Sequence, residues 1–317
     1  MIRALSARLP SLGLVGCVLA FIGYALFSIQ DATTKWFVEI YAVWQVLFVR
    51  SLMTLALAVG RGGTGLIRRT AGSPHRGLVV TRSAVLLTAW VGYYTAARDL
   101  QLAELVTYYF AGPLLAIALS GWLLKEQVSL QRWIAAAIGF VGIIIACNPS
   151  IEGISPVAAL ALASAMLWGF SMILLRRISL VETTDVQLLS NSMVFVLVSI
   201  GPAIYLWITP PLPVLAAMFA LGAVGFGAQH FLFEGYRYGP PSLMAPFEYT
   251  TLIWSFIFSY AIWGDIPRTA VFAGAGCILA GGLWTVVGEW RAGRLSGGRM
   301  AGAKVEKAGP AEPPPGR

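Results

Sequence analysis

Apolar residues run along this chain in ten long blocks parted by short polar breaks. The blocks are Leu12–Ile29, Tyr41–Val59, Leu78–Ala97, Leu102–Leu124, Trp133–Cys147, Ser155–Leu175, Gln187–Ile208, Val214–Gly235, Leu243–Trp263 and Ala270–Val287. Most reach or exceed the roughly 18 apolar residues that a helix needs to cross the hydrocarbon core of a bilayer. A membrane β-strand needs only about 9–11 alternating residues, so block length favours helices over a barrel. The pattern predicts an all-α integral membrane protein of ten transmembrane helices, with the fifth block the shortest.

The basic residues predict which way round the helices run. With the N-terminus inside, the cytoplasmic segments and the tail hold 17 lysines and arginines, among them Arg61, Arg68, Arg69, Arg176 and Arg177. The opposite side holds Lys35, Arg98 and Arg268. This is the asymmetry of the positive-inside rule, and it predicts two cytoplasmic termini on a multi-pass protein of a bacterial-type inner membrane. The first block follows Arg3 and Arg8 as a signal peptide would. It has no small-residue cleavage pattern and continues into Asp31–Lys35, which predicts a retained span.

Composition sharpens the class. Of 317 residues, 58% are hydrophobic and 11% charged, against about 25% charged in an average soluble domain. That is too little charge to cover a water-soluble protein, and a soluble enzyme is excluded. The net charge of +8 is spread over alternate loops and the tail, which argues against a nucleic-acid partner. Cys17, Cys147 and Cys277 lie in or at the ends of apolar blocks, without metal-ligand spacing or an even count for disulfides. They read as small packing residues, and no metal, cofactor or catalytic group is predicted. No G-x-x-x-x-G-K-[ST] phosphate loop is present, which disfavours an ATP-driven pump.

An offset of 139 residues lays Glu126 on Asp265, Arg98 on Arg237, Ser120 on Ser259 and Gly142 on Gly281. Each copy then has a long span, an acidic residue at its end, a polar gap and a Gly/Ala-rich span. Five spans per copy is an odd number, so the second copy is upside down. The predicted organisation is a cytoplasmic N-terminus (1–11), a first five-helix repeat (12–147), a linker (148–154), a second, inverted five-helix repeat (155–288) and a disordered, basic, Pro/Gly-rich tail (289–317). Inverted repeats are a common construction of secondary transporters, with the solute site near the midplane.

The stretch from Pro113 through Ser120-Gly121-Trp122 to Lys125-Glu126, followed by Trp133 and Gly139-Phe140-Val141-Gly142, resembles the signature of the EamA-type drug/metabolite transporters. The second copy, Glu248 to Trp254, Asp265 and Gly281-Gly282, resembles that family's second repeat, departing at Leu252 where proline is expected. The segment Ala245-Pro246-Phe247-Glu248-Tyr249 is similar to members that take up riboflavin or S-adenosylmethionine. The resemblance covers residues 12–288 and implies a ten-helix permease.

Charges inside spans mark candidate sites, because one charge at the bilayer centre costs about 2.5–3.5 kcal/mol on insertion scales. Arg50, near the middle of the second block, reads either as a fork for an anionic solute group or as a partner for a buried glutamate. Glu248 shares a helical face with Met244, Thr251, Ser255 and Ser259, a polar stripe that belongs in a cavity; it is the candidate proton-coupling carboxylate. Glu234 and His230 are four apart and can pair. Trp90 and Tyr94 share a face, and Tyr108 follows Glu104 by four, so Trp90, Tyr94 and Tyr108 are candidate walls for a planar or cationic solute. Asp31 and Arg82, near span ends, read as snorkelling to the interface. Glu104 is either an exposed outer residue or a gate.

These observations predict a secondary transporter of a small organic metabolite by alternating access, with a planar or amphipathic solute of flavin, nucleoside or amino-acid type. Its predicted partners are that solute and the lipid bilayer. Proton coupling through Glu248 and a homodimer packed on the small-residue rows Ala135-Gly139-Gly142 and Ala273-Cys277-Gly281 are further expectations. The alternatives are a broad-specificity efflux permease and, from another class, an intramembrane enzyme, for which no nucleophile–base pair or metal-ligand set is present.

Overall fold

In the computed structural model, residues 9–112, 114, 130–148, 154–179, 181–238, 247–284 and 287 are described. Pro113, Ser120, Glu126, Met244, Pro246, most of the linker and the tail from 289 lie outside them. Ten helices appear among the described residues, with no strand. They are α1 (Leu9–Val38), α2 (Val43–Ala71), α3 (Arg76–Ala96), α4 (Leu102–Tyr109), α5 (Leu130–Cys147), α6 (Pro156–Ser179), α7 (Thr184–Tyr205), α8 (Leu212–Tyr238), α9 (Thr250–Trp263) and α10 (Thr269–Trp284). Helices α1, α2, α6, α7 and α8 are long and apolar enough to cross a membrane. Helices α5, α9 and α10 carry shorter apolar stretches.

Three boundaries depart from the hydrophobic pattern for physical reasons. Helix α1 runs nine residues past Ile29, because the polar side chains that follow are satisfied within the protein. Thr33 and Thr34 donate to the carbonyls of Ile29 and Gln30 at 2.7 Å each, and Lys35 donates to the Ala97 carbonyl at 2.8 Å. Helix α2 carries on beyond Val59 through the stretch read as a loop. It breaks at Gly63, whose φ of 59° and ψ of −166° suit a residue without a Cβ. Arg82 does not snorkel: it is 3% exposed, held where α3 lies against α7.

Helices of the first half pack on helices of the second. The largest helix pairs are α1 with α8, α2 with α7 and α3 with α6; α8 also meets α2, and α7 meets α3. Helix α9 packs on α1 and α4, and α4 on α6. The main core, which includes Phe37, Val46, Leu47, Leu86, Phe195 and Met218, therefore lies between the halves. Outward faces carry large exposed apolar side chains such as Phe140, Ile144, Leu197, Ile204, Ile257 and Leu283. An apolar exterior over helices whose backbones bond internally is the arrangement that lipid demands.

Helices α5 and α10 come together through glycines. A Cβ on Gly142 would stand 2.6 Å from the Gly274 carbonyl, one on Gly274 would strike the Gly142 carbonyl, and one on Gly281 would stand 2.9 Å from the Ala135 carbonyl. Gly276, on the same helix, faces open space. Gly274→Val should therefore lower the thermal unfolding midpoint of detergent-purified protein by several degrees, the effect of about 1–3 kcal/mol of overpacking. Gly276→Ala should leave it unchanged or raise it through helix propensity. Equal effects of the two substitutions would contradict this packing.

Candidate functional site

Arg50 is the centre of a buried polar group built by three helices of the first half. It sits a little beyond two turns into α2 and is 3% exposed. Its guanidinium carbon lies 4.1 Å from the centre of the Trp90 ring and 6.0 Å from that of Tyr94, both on α3. These ring faces offer a desolvated cation the attraction of their quadrupoles. Arg50 Nη1 donates to the Tyr94 hydroxyl at 3.4 Å, and that hydroxyl donates to Asp31 Oδ1 at 3.0 Å. Gln30 Nε2 donates to the same hydroxyl at 3.4 Å, while Gln30 Oε1 has no hydrogen-bond partner. Arginine and aspartate are thus joined through one tyrosine.

Helix α8 closes over this group. A Cβ on Gly222 would collide with the Arg50 carbonyl, and one on Gly225 with Gln30 Oε1. Thr54, one turn beyond Arg50, donates to the carbonyls of Arg50 at 3.1 Å and Gly222 at 3.3 Å. The second half of the chain so forms a backbone wall against a charge carried by the first.

Glu248 lies in a second group, just before α9. The Tyr109 hydroxyl hydrogen-bonds to its carboxylate. Tyr109 is packed 4.6 Å from Trp168 and 6.2 Å from Tyr93, centre to centre, and Phe110 stacks on Tyr249 at 5.4 Å with 11° between planes. Tyr93 in turn meets Tyr94 at 5.3 Å. A run of rings from Trp90 through Tyr94 and Tyr93 to Tyr109 therefore links the Arg50 group to Glu248. Between them, a small cavity is lined by Ser28, Asp31, Leu102, Val106, Thr251 and Ser255. Two members of the polar stripe expected around Glu248, Thr251 and Ser255, face this cavity, and Ser259 is buried with its hydroxyl unpartnered.

Tyr108 belongs elsewhere. It donates to Glu104 Oε1 at 2.6 Å, and Glu104 is ion-paired with Arg268 from the segment between α9 and α10. Glu104 is buried, so of its two readings the exposed one is overturned. Lys35 adds a second tie at this end, bonding Glu39 at 3.1 Å and lying 5.1 Å from the Trp263 ring centre. Glu234 is partly buried on α8, nine residues beyond Gly225 and so about 13 Å further along that helix. His230 lies beside Phe231.

Of the six sequence candidates, Arg50, Trp90 and Tyr94 come together, Glu248 joins through the ring ladder, and Tyr108 and Glu234 stand apart. Asp31, Gln30, Tyr109 and Phe195 were not among the candidates. For Tyr109 a signal existed: the offset of 139 residues carries it onto Glu248, and Phe110 onto Tyr249. For Asp31 the signal was its shared face with Tyr24 and Ser28, outweighed by its place at a block end. Among the described residues no three His, Cys, Asp or Glu side chains converge to hold a metal ion. What the group can do is bind: a guanidinium for a carboxylate, carboxylates for a cation and ring faces for a planar system.

A family model described as the EamA-like transporter family matches the chain twice, over residues 14–147 and 155–287. An S-adenosylmethionine uptake transporter of Rickettsia prowazekii (strain Madrid E) is 27% identical over 267 residues, covering 83% of this chain and 89% of that protein. A riboflavin transporter of Rhizobium johnstonii (strain DSM 114642 / LMG 32736 / 3841) is 27% identical over 293 residues, covering 89% and 94%. A protein of known crystal structure shares the fold with a TM-score of 0.61 at 18% identity, covering 89% of this chain and 98% of that one.

Tyr94→Phe removes the one hydroxyl that Arg50, Gln30 and Asp31 share. It should cost about 1–3 kcal/mol, the worth of buried bonds to charged groups, read as a lower unfolding midpoint of purified protein. An unchanged midpoint would mean that the hydroxyl does not hold the group together.

Proposed function

We propose that this chain, which belongs to the EamA-like transporter family, is a secondary carrier of a zwitterionic, amino-acid-type metabolite with a planar group. The chain is a transmembrane transporter with an all-helical membrane fold; the solute, the mechanism and the orientation are what this reading adds. The observation that carries it is the Arg50–Tyr94–Asp31 relay beneath Trp90, which offers one solute both signs of charge and a ring to lie against. A flavin ring system uses the aromatic walls and can bond the pair through its carbonyls and N3–H, but it brings no opposite charge to either member. S-adenosylmethionine, which the Rickettsia relative's name specifies, has a carboxylate, an ammonium, a sulfonium and a purine. It uses every element of the site.

An inverted duplication supports alternating access. The offset of 139 pairs Phe110 with Tyr249 and Tyr109 with Glu248, and both pairs touch. The same offset turns the Gly142–Gly274 approach into the Ala135–Gly281 approach. The helix pairs obey it too: exchanging α1 with α6, α2 with α7, α3 with α8 and α4 with α9 maps α1–α8 onto α3–α6 and α2–α8 onto α3–α7. Contacts that survive such an exchange are those of a pseudo-two-fold axis, and Glu248 lies beside it. Rocking the halves about that axis would expose the site to either side in turn. The loop charges favour cytoplasmic termini, and the bacterial relatives point to the inner membrane.

In proteoliposomes, the protein should take up S-adenosylmethionine, and Arg50→Gln should lower that uptake about ten- to a hundredfold, the range for losing a charge-assisted bond. Uptake of riboflavin in its place, unaffected by Arg50→Gln, would overturn the solute assignment. Glu248→Gln should abolish gradient-driven accumulation while leaving counterflow exchange intact. Loss of both, with a lower unfolding midpoint, would make Glu248 a structural partner of Tyr109.

A further inference from the structure

Below the ring pair Trp90–Phe195, whose centres are 5.3 Å apart, α3 and α7 run parallel with a second buried polar group between them. Ser83 donates to Asn191 Oδ1 at 2.6 Å, and Arg82 Nη1 reaches the same oxygen at 3.5 Å. Arg82 and Gln187 are each 3% exposed. Arg82 Nε and Gln187 Oε1 have no hydrogen-bond partner, and among the described residues no carboxylate forms an ion pair with Arg82. Gln187 is one turn from Asn191 on the same side of α7.

A buried guanidinium without a carboxylate costs stability, and so does a buried carbonyl without a donor. Here one orphan is a cationic donor and the other a neutral acceptor, on helices packed against each other. Their complement is a group that accepts from one and donates to the other. An α-amino-acid head group does so: its carboxylate takes the Arg82 N–H, and its ammonium gives to the amide oxygen of Gln187.

We propose that Arg82, Asn191 and Gln187 form a second solute subsite, which holds the zwitterionic head group after it leaves Arg50. The proposal rests on the reading of the chain as a carrier of an amino-acid-type solute. The subsite lies on the cytoplasmic side by the loop charges. The Trp90–Phe195 contact divides the two subsites, and parting of these rings passes the carboxylate from one guanidinium to the other.

The test uses the full chain in lipid nanodiscs, as wild type, Arg82→Met, Gln187→Leu and Arg50→Met. Unfolding midpoints are read alone and with L-methionine, with its amine-lacking analogue 4-(methylthio)butanoate and with its carboxylate-lacking analogue 3-(methylthio)propylamine. Arg82→Met should raise the midpoint without ligand, since it removes an unpaired buried charge. It and Gln187→Leu should each abolish the part of the methionine shift that persists in Arg50→Met. Both analogues should shift the wild type less than methionine does. In proteoliposomes, Arg82→Met should slow net S-adenosylmethionine uptake about tenfold. A lower ligand-free midpoint for Arg82→Met would make Arg82 structural and overturn the proposal, as would a methionine shift that is absent or independent of Arg82. A butanoate shift equal to that of methionine would mark a free-anion site and overturn the head-group assignment. An Arg82-dependent methionine shift in a protein that carries no S-adenosylmethionine would uphold the subsite while removing the solute named for the carrier.

Discussion

A guanidinium kept inside a membrane-spanning bundle without a carboxylate against it is the constraint on which the rest of this structure turns. Charge there is expensive, and the usual compensation is a direct ion pair. Arg50 has instead two ring faces and a tyrosine hydroxyl, with Asp31 one bond further away. That arrangement fixes Trp90 and Tyr94 on α3, requires α1 to remain helical as far as Asp31, and brings Gly222 of α8 against the Arg50 backbone and Gly225 against Gln30. It also leaves the guanidinium able to change partners. A carboxylate locked on Arg50 would have to be displaced by any incoming anion, whereas a ring face and a shared hydroxyl yield at lower cost.

The interleaving of the two halves follows from the same need. Neither half alone could wall off the charge: α1, α2 and α3 supply the polar groups, and α8 and α7 supply the Gly222–Gly225 backbone and Phe195. Burial on such shared seams ties the halves together, and Phe195 and Trp168 of the second half pack on the ring ladder from Trp90 to Tyr109. At one end of the bundle Arg268 of the second half pairs with Glu104 of the first, and Arg98 on the Val38 carbonyl and Lys35 on the Ala97 carbonyl brace the first half there. At the other end, Ser73 bonds Glu182 between the loops that begin α3 and α7. Under the proposed rocking motion, the Arg268–Glu104 and Ser73–Glu182 contacts, which cross between the halves, are the ones that alternate.

What could be read from the chain alone was whatever periodicity and block length encode. Each of the ten apolar blocks holds a helix among the described residues, and Arg50, Trp90 and Tyr94 stand out because a charge and two spaced aromatics interrupt blocks that have no other reason to hold them. Asp31 and Arg82 were misjudged for a common reason. Residues near a block end can reach the interface at little cost, and nothing local says that a partner 63 or 109 residues away holds them inside instead. Tyr109 is the instructive case. Its contact with Glu248 is invisible to any local pattern, yet it falls on the 139-residue offset, as equivalent positions beside the proposed two-fold axis would. The end of α2 was missed because glycine usually punctuates, and here Gly63 breaks the helix while the chain resumes it.

Arg50, Asp31 and the Trp90–Tyr94 walls are proposed to hold a zwitterionic solute. This is tested most directly by an experimental structure of the chain in nanodiscs with S-adenosylmethionine bound. Ligand density is expected between α1, α2 and α3, with the carboxylate within hydrogen-bond reach of Arg50 and the purine against an aromatic ring of the ladder. Density with the carboxylate turned away from Arg50, or seated outside this group altogether, would contradict it.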